Sequence, residues 1–146
     1  MSVVLITGGG SGIGRAVALR LASGGWQPAG TDVALVLTGR RIEALQETAE
    51  LVQEAVGSGV QTLVWPADLT KPKEVDGLFG SVRRSFGRLD VLFNNAGANV
   101  APTWVDEMSM SDWRSVIGIS KSRARGRLRG EGQDWGQGRG QGQGQG

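Results

Sequence analysis

Val3-Val4-Leu5-Ile6-Thr7-Gly8-Gly9-Gly10-Ser11-Gly12-Ile13-Gly14 is the stretch that decides the fold. A continuous apolar run ended by glycines fits a strand buried on both faces of a parallel sheet. After the glycines, Ile13, Ala16, Val17 and Leu21 recur at helical spacing until Gly24-Gly25 stops the helix. A glycine loop between strand and helix lets backbone approach a diphosphate. The N–H groups at the helix start then offer hydrogen bonds and a positive dipole end. Gly14 lets the helix sit close to the strand. The plain alternative is a flexible turn, and the strand before and helix after favour the phosphate reading. The spacing is not G-x-G-x-x-G, because residue 13 is Ile. It is T-G-x-x-x-G-x-G.

The pattern continues outward from that loop. Val33 to Leu37 reads as a second strand. Ile42, Leu45, Ala49, Val52 and Val56 form one stripe of a helix that ends at Gly57. Val60 to Trp65 reads as a third strand. Pro72 suits a helix start, and Val75, Leu78, Phe79, Val82 and Phe86 form that helix's apolar face. Leu89 to Phe93 is a fourth strand, and Ser111 to Ser120 a fourth helix with Ser111 as its cap. Strands alternating with amphipathic helices imply a parallel α/β sheet covered on both faces.

Composition sharpens the limits. The 146 residues suit one domain. They include no Cys, His or Tyr, which excludes a disulfide, a thiolate zinc site, a histidine base and a tyrosine acid. Glycine numbers 25, of which nine fall in residues 121–146. That tail has three apolar side chains, Ala124, Leu128 and Trp135, too few to offset the entropy of ordering, so disorder is expected. It holds six positive charges against two negative, and the body ten against twelve. The basic balance belongs to the tail, which weakens a nucleic-acid reading of the whole chain. No stretch reads as a targeting or membrane segment, so a cytoplasmic location is expected.

The glycine motif resembles that of the short-chain dehydrogenase/reductase family. Three further stretches support the resemblance in the right order: Ala67-Asp68-Leu69, Asn94-Asn95-Ala96-Gly97, and Trp113-Arg114-Ser115-Val116-Ile117. The resemblance covers residues 2–119. It implies a Rossmann-like doubly wound sheet, here four strands in the order 3-2-1-4, with the chain divided into a cofactor-binding portion (1–119) and a Gly/Gln/Arg-rich tail (120–146). It also implies that Thr7, Gly8, Gly10, Ser11, Gly12, Ile13 and Gly14 surround the cofactor diphosphate. Asp68 would contact the adenine, or serve as a turn aspartate. The stretch Asn94 to Gly97, with Asn94, Ala96 and Gly97 as its cofactor residues, would hold the fourth strand against the cofactor ribose, or form a polar turn that serves the fold.

A site for NAD usually offers an acid at the end of the second strand. Here that place is Gly39, followed by Arg40 and Arg41. A guanidinium matches a 2′-phosphate in charge and geometry, so NADP(H) is expected over NAD(H). The plain alternative is a pair of solvated charges at a helix start. Asp32 precedes the strand and does not supply the acid. Residues 26–32 lengthen the preceding connection relative to the family, and their Pro and Gly mark a loop.

The resemblance breaks at residue 120. The family's chemistry uses a Tyr, a Lys four residues later, an upstream Ser and an Asn. This chain has no Tyr, its lysines are Lys71, Lys73 and Lys121, and the Asn position falls on Ser120. Catalytic incompetence is therefore expected. A break inside an amphipathic helix points to read-through of an unspliced intron or a frame shift. Ser120-Lys121-Ser122 can be encoded AGT-AAG-TCN, which contains the splice donor GTAAGT. Genomic sequencing is expected to show a donor at this codon and a downstream exon encoding Tyr-x-x-x-Lys; an uninterrupted gene without one would refute it.

Without a fifth strand, Leu89–Phe93 would be an apolar edge, and most of the oligomer interface would be missing. Poor solubility and weak cofactor binding are the expectation. The complete relative would take a small alcohol or carbonyl substrate. Two other classes compete: a non-catalytic nucleotide-binding or regulatory protein, and a nucleic-acid binder using the basic Arg123–Gly130 stretch.

Overall fold

The structure, a computed structural model, describes residues 1–24, 32–97, 104 and 106–120. Residues 26–31 of the loop expected over 26–32, and the tail expected to be disordered from 121, lie outside the described residues. The elements run β1 (Ser2–Thr7), α1 (Gly12–Ala22), β2 (Val33–Gly39), α2 (Ile42–Val56), β3 (Gln61–Pro66), α3 (Pro72–Phe86), β4 (Val91–Phe93) and α4 (Met110–Ser120). A single 3-10 turn, Gly57–Gly59, leads into β3.

The four strands are parallel, in the order β3-β2-β1-β4. The two central strands are the most apolar, and Val3 to Ile6 and Ala34 to Leu37 have no exposed surface. Alternation divides their side chains between two layers. Val4, Ile6, Leu35 and Leu37 pack with Ala18 of α1 and with Leu45 and Val52 of α2. Val3, Leu5, Ala34 and Val36 pack with Leu78, Phe79 and Val82 of α3. The expected α/β sheet with helices on both faces is therefore present. Burying each such side chain contributes about 1.5–3 kcal/mol.

Local chemistry sets the element ends. Gly24, Gly57 and Gly87 follow α1, α2 and α3 with positive φ, a conformation with no Cβ penalty in glycine. Pro72 opens α3, where its missing N–H costs nothing.

Two expectations need correction. The fourth strand is shorter than Leu89–Phe93. Asp90 lies before it and accepts the Val3 N–H with its carboxylate at 2.8 Å, while its own N–H donates to the Val3 carbonyl at 2.9 Å. A side chain thus takes the place of a ladder carbonyl. Arg88 lies against that carboxylate and, with the Val3 bond, holds its pKa below the ordinary value. The cap of α4 is Ser109, not Ser111. Ser109 Oγ accepts the Asp112 N–H at 3.0 Å and bonds the Asp112 carboxylate at 2.7 Å. The Ser109 hydroxyl thus caps the N–H three residues on, from the position just before α4, which Ser111 inside the helix does not occupy.

Along β4 the side chains are half-buried, and the strand's partner among the described residues is β1 alone. Among those residues no helix is long and apolar enough to cross a membrane.

Candidate functional site

All four strands end on one edge of the sheet, with Thr7 beside Thr38, Gly39 beside Pro66 and Ile6 beside Phe93. The loops that follow line one cleft of about 470 Å³. Gly8, Gly10 and Ser11 come from the first loop, and Gly39, Arg40 and Arg41 from the second. Ala67, Asp68 and Leu69 follow β3, and Asn95, Ala96 and Gly97 follow β4. Ala44 and Leu45 of α2 complete the wall. The carboxyl ends of strands, where strand order reverses, are where parallel α/β sheets hold ligands.

The glycine loop is built by space and by φ. Gly8 has φ +67°, and a Cβ there would lie 3.0 Å from Asn95 Nδ2 and 3.1 Å from the Ala96 Cα. At Gly10 a Cβ would lie 3.0 Å from the Ala44 Cβ. Gly14 is buried in α1 against the Gly8 carbonyl, with no room for a methyl. Ser11 precedes α1 in an extended conformation and makes no side-chain cap bond. The first-turn N–H groups of α1 thus take no side-chain cap from Ser11, and uncapped N–H groups at a helix start favour an anion. A side chain at Gly8 or Gly10 would crowd this cradle, so the residues present fit a diphosphate.

Thr7 and Asn95 join the ends of β1 and β4. Thr7 Oγ1 accepts the N–H groups of Asn95 and Ala96, each at 2.9 Å. Asn95 Nδ2 donates to the carbonyls of Thr7 at 3.1 Å and Gly8 at 3.3 Å. The loop after β4 is therefore tied by three bonds to the end of β1 and by one to the glycine loop.

Asp68 lines the cleft while its Oδ1 accepts the Thr70 N–H at 3.0 Å and the Thr70 hydroxyl at 2.7 Å. These bonds, with smaller contributions from Lys71 and Arg40, hold its carboxyl below the ordinary carboxylate range. The turn-aspartate role and a place in the cleft coexist in one residue. Glu74 of α3 accepts the Asp68 N–H at 2.6 Å and pairs with Lys71 at 2.9 Å, which steadies this corner. Gly39 and the exposed Arg40 and Arg41 form the wall at the β2 end, so the cleft pairs a glycine cradle with two guanidinium-bearing residues.

Of the residues singled out from sequence, Gly8, Gly10, Ser11, Arg40, Asp68, Ala96 and Gly97 meet at the cleft. Thr7 lies beneath it as a support. Gly12 has φ +53° with open space around it, and Ile13 is 70% exposed. Asn94 does not line this cleft. It borders a cavity of about 10 Å³ with Thr7, Leu92 and residues of α3. Asn95, expected only as part of the 94–97 stretch, is the asparagine that bonds the glycine loop. Gly39, Arg41, Ala44, Leu45, Ala67 and Leu69 also line the cleft. Among the described residues no cluster of His, Cys, Asp or Glu could hold a metal.

Comparison with known proteins gives a consistent picture. The short chain dehydrogenase family model matches residues 2–122. Sulfoacetaldehyde reductase 2 of Chromohalobacter salexigens is 39% identical over 115 residues, which are 79% of this chain and 41% of that protein. Among solved structures, NAD+-bound xylitol dehydrogenase superposes with a TM-score of 0.72 at 36% identity, over 84% of this chain and 44% of its own. L-sorbose reductase from Gluconobacter frateurii, complexed with NADPH and L-sorbose, superposes with a TM-score of 0.69 at 34% identity, over 86% and 45%. The chain thus spans less than half the length of the relatives it matches.

Proposed function

The chain belongs to the short chain dehydrogenase family of oxidoreductases, and from that premise we propose that residues 1–119 bind a nicotinamide dinucleotide in the cleft, NADP(H) in preference to NAD(H). The observation that carries this reading is one cleft in which the glycine cradle faces Arg40 and Asp68. Thr7, Gly8, Gly10, Ser11, Gly12, Ile13 and Gly14 shape the diphosphate end. Arg40, with Arg41 beside it, receives the 2′-phosphate, a group that guanidinium binds bidentately. Gly39 leaves that end without the acid that would hold a 2′-hydroxyl. Asp68 accepts from the adenine amino group, and Ala96 and Gly97 stand at the ribose, with Asn94 behind them on the α3 side of the strand.

A bound nicotinamide would give or take a hydride. The residues of this chain bind and orient it. Proton transfer to a carbonyl or from an alcohol needs a positioned acid or base, and the family's tyrosine is absent from these 146 residues. We therefore infer binding without turnover, the small alcohol or carbonyl substrate belonging to complete relatives.

Calorimetric titration of the full chain and of a chain ending at residue 119 tests the reading. Saturable NADPH binding, tighter than NADH binding and equal in the two chains, is expected, in the weak range that a half-covered β4 implies. Absence of saturable binding would refute it. Salt-sensitive RNA binding lost with the tail would favour the nucleic-acid alternative.

A further inference from the structure

Arg15 lies in α1, one residue after the last glycine of the loop, and its side chain is 24% exposed. It does not line the cleft. Its guanidinium spends all three nitrogens on the protein. Nη2 donates to the Gly10 carbonyl at 2.7 Å and to Glu47 Oε2 at 2.7 Å. Nη1 donates to Glu47 Oε1 at 3.1 Å, and Nε to Thr48 Oγ1 at 3.1 Å. Thr48 is fully buried in α2, and its hydroxyl donates to the Ala44 carbonyl at 3.0 Å. One planar group therefore fastens the glycine loop to the first turns of α2.

Peptide geometry gives this fastening a consequence. A trans peptide sets the N–H of one residue opposite the carbonyl of the residue before it. Capture of the Gly10 carbonyl by Arg15 therefore also fixes the direction of the Ser11 N–H. Gly10 and Ser11 both line the cleft. An anion is bound by N–H groups and repelled by carbonyl oxygens, so a carbonyl held aside favours an anion in the loop. The charge of Arg15 is met by Glu47, whose carboxyl it holds below the ordinary range by hydrogen bond and charge. Arg15 thus differs from Arg40 and Arg41, which line the cleft themselves.

We propose that Arg15 is a positioning residue for dinucleotide binding: anchored on Glu47 and Thr48, it holds the Gly10–Ser11 peptide in the orientation that receives the diphosphate. This rests on the reading of the cleft as a dinucleotide site. The reach from Gly10 across to α2 needs the guanidinium fork, which lysine lacks.

The test uses the full chain, with Arg15→Lys and Glu47→Gln, and two probes. NADPH carries the diphosphate; adenosine 2′-monophosphate carries the 2′-phosphate alone. Arg15→Lys is expected to weaken NADPH about tenfold, the order of one charge-assisted hydrogen bond, and to leave adenosine 2′-monophosphate unchanged. Glu47→Gln keeps an acceptor and loses the charge, so a loss of about threefold is expected for NADPH alone. Unchanged NADPH affinity in Arg15→Lys overturns the proposal. Equal losses for both probes also overturn it, because they mark Arg15 as a residue of the fold in general. Should Arg15→Lys fail to fold, Glu47→Gln decides by the same two criteria. A wild-type chain that binds neither probe refutes the dinucleotide reading itself, and the role of Arg15 falls with it.

Discussion

Gly14→Ala is expected to destabilise the fold by about 3 kcal/mol, the upper end of the range for overpacking, and to remove measurable NADPH binding. The methyl would be driven into the Gly8 carbonyl, and would lie 2.8 Å from Asn95 Nδ2 and from the Gly8 carbonyl carbon. Backbone cannot swing aside as a flexible side chain can. Relief requires α1 to retreat from β1, and that retreat opens the bonds from Asn95 to Thr7 and Gly8. The cradle and the junction of β1 with β4 are then lost together. Gly12 offers the contrast. Its Cβ would meet nothing within 4 Å, and its constraint is the positive φ. Asparagine tolerates that conformation better than other residues, so Gly12→Asn is expected to leave the stability within about 1 kcal/mol of the original. Urea unfolding of the two variants checks this pair. A Gly14→Ala chain as stable as the parent would show that the helix can shift freely, and the close approach of α1 to the loop would then lose its assigned importance.

The same contacts explain what was legible in the sequence. The run Val3–Ile6 and the glycines after it declare a strand buried on both faces and a loop that must approach something closely. Neither inference needs a distant residue. The stripes of α2 and α3 are equally local, because one helix face repeats every three or four residues. The site was legible where a motif names its residues, as at Gly8, Gly10, Arg40 and Asp68. It was less so where two like residues adjoin. Asn94 and Asn95 differ only in the face they take. Leu92 packs with the α3 layer and Phe93 with the α1 and α2 layer. Continuing that alternation puts Asn94 on the α3 side and Asn95 back beside Gly8, a period-2 signal that was available. The role of Arg15 was not available. Its bond to Gly10 spans five residues and its pair with Glu47 spans 32. Nothing local in either segment announces the other. Ser109 and Ser111 are the intermediate case, since the three-residue spacing to Asp112 favours Ser109 once both are considered.

At Gly39 the same steric reasoning leads to the opposite expectation. A Cβ there would lie 3.6 Å from Leu45 Cδ2 and 3.9 Å from the Gly8 Cα, which is ordinary contact. The residue closes β2, and its carbonyl accepts the Ala67 N–H at 2.9 Å. A side chain is therefore accommodated without moving the strand, and it would enter the cleft that Gly39 lines. Gly39→Asp would place a carboxylate where the second strand ends. On the dinucleotide reading, that carboxylate accepts from a ribose 2′-hydroxyl and repels a 2′-phosphate. Arg40 beside it would still attract the phosphate, so the single variant lowers the preference for NADPH and the pair Gly39→Asp with Arg40→Ala reverses it. A charged hydrogen bond contributes about 1.5–3 kcal/mol. Losing one to the phosphate and gaining one to the hydroxyl moves the ratio of NADPH to NADH affinity by about a hundredfold or more. Calorimetry with both cofactors reads that ratio directly. A change below about threefold in the double variant, with folding intact, would place the 2′-phosphate away from the end of β2 and remove Gly39 and Arg40 from cofactor selection. The outcome depends on charge at one strand end and not on catalysis, so it is read from binding alone.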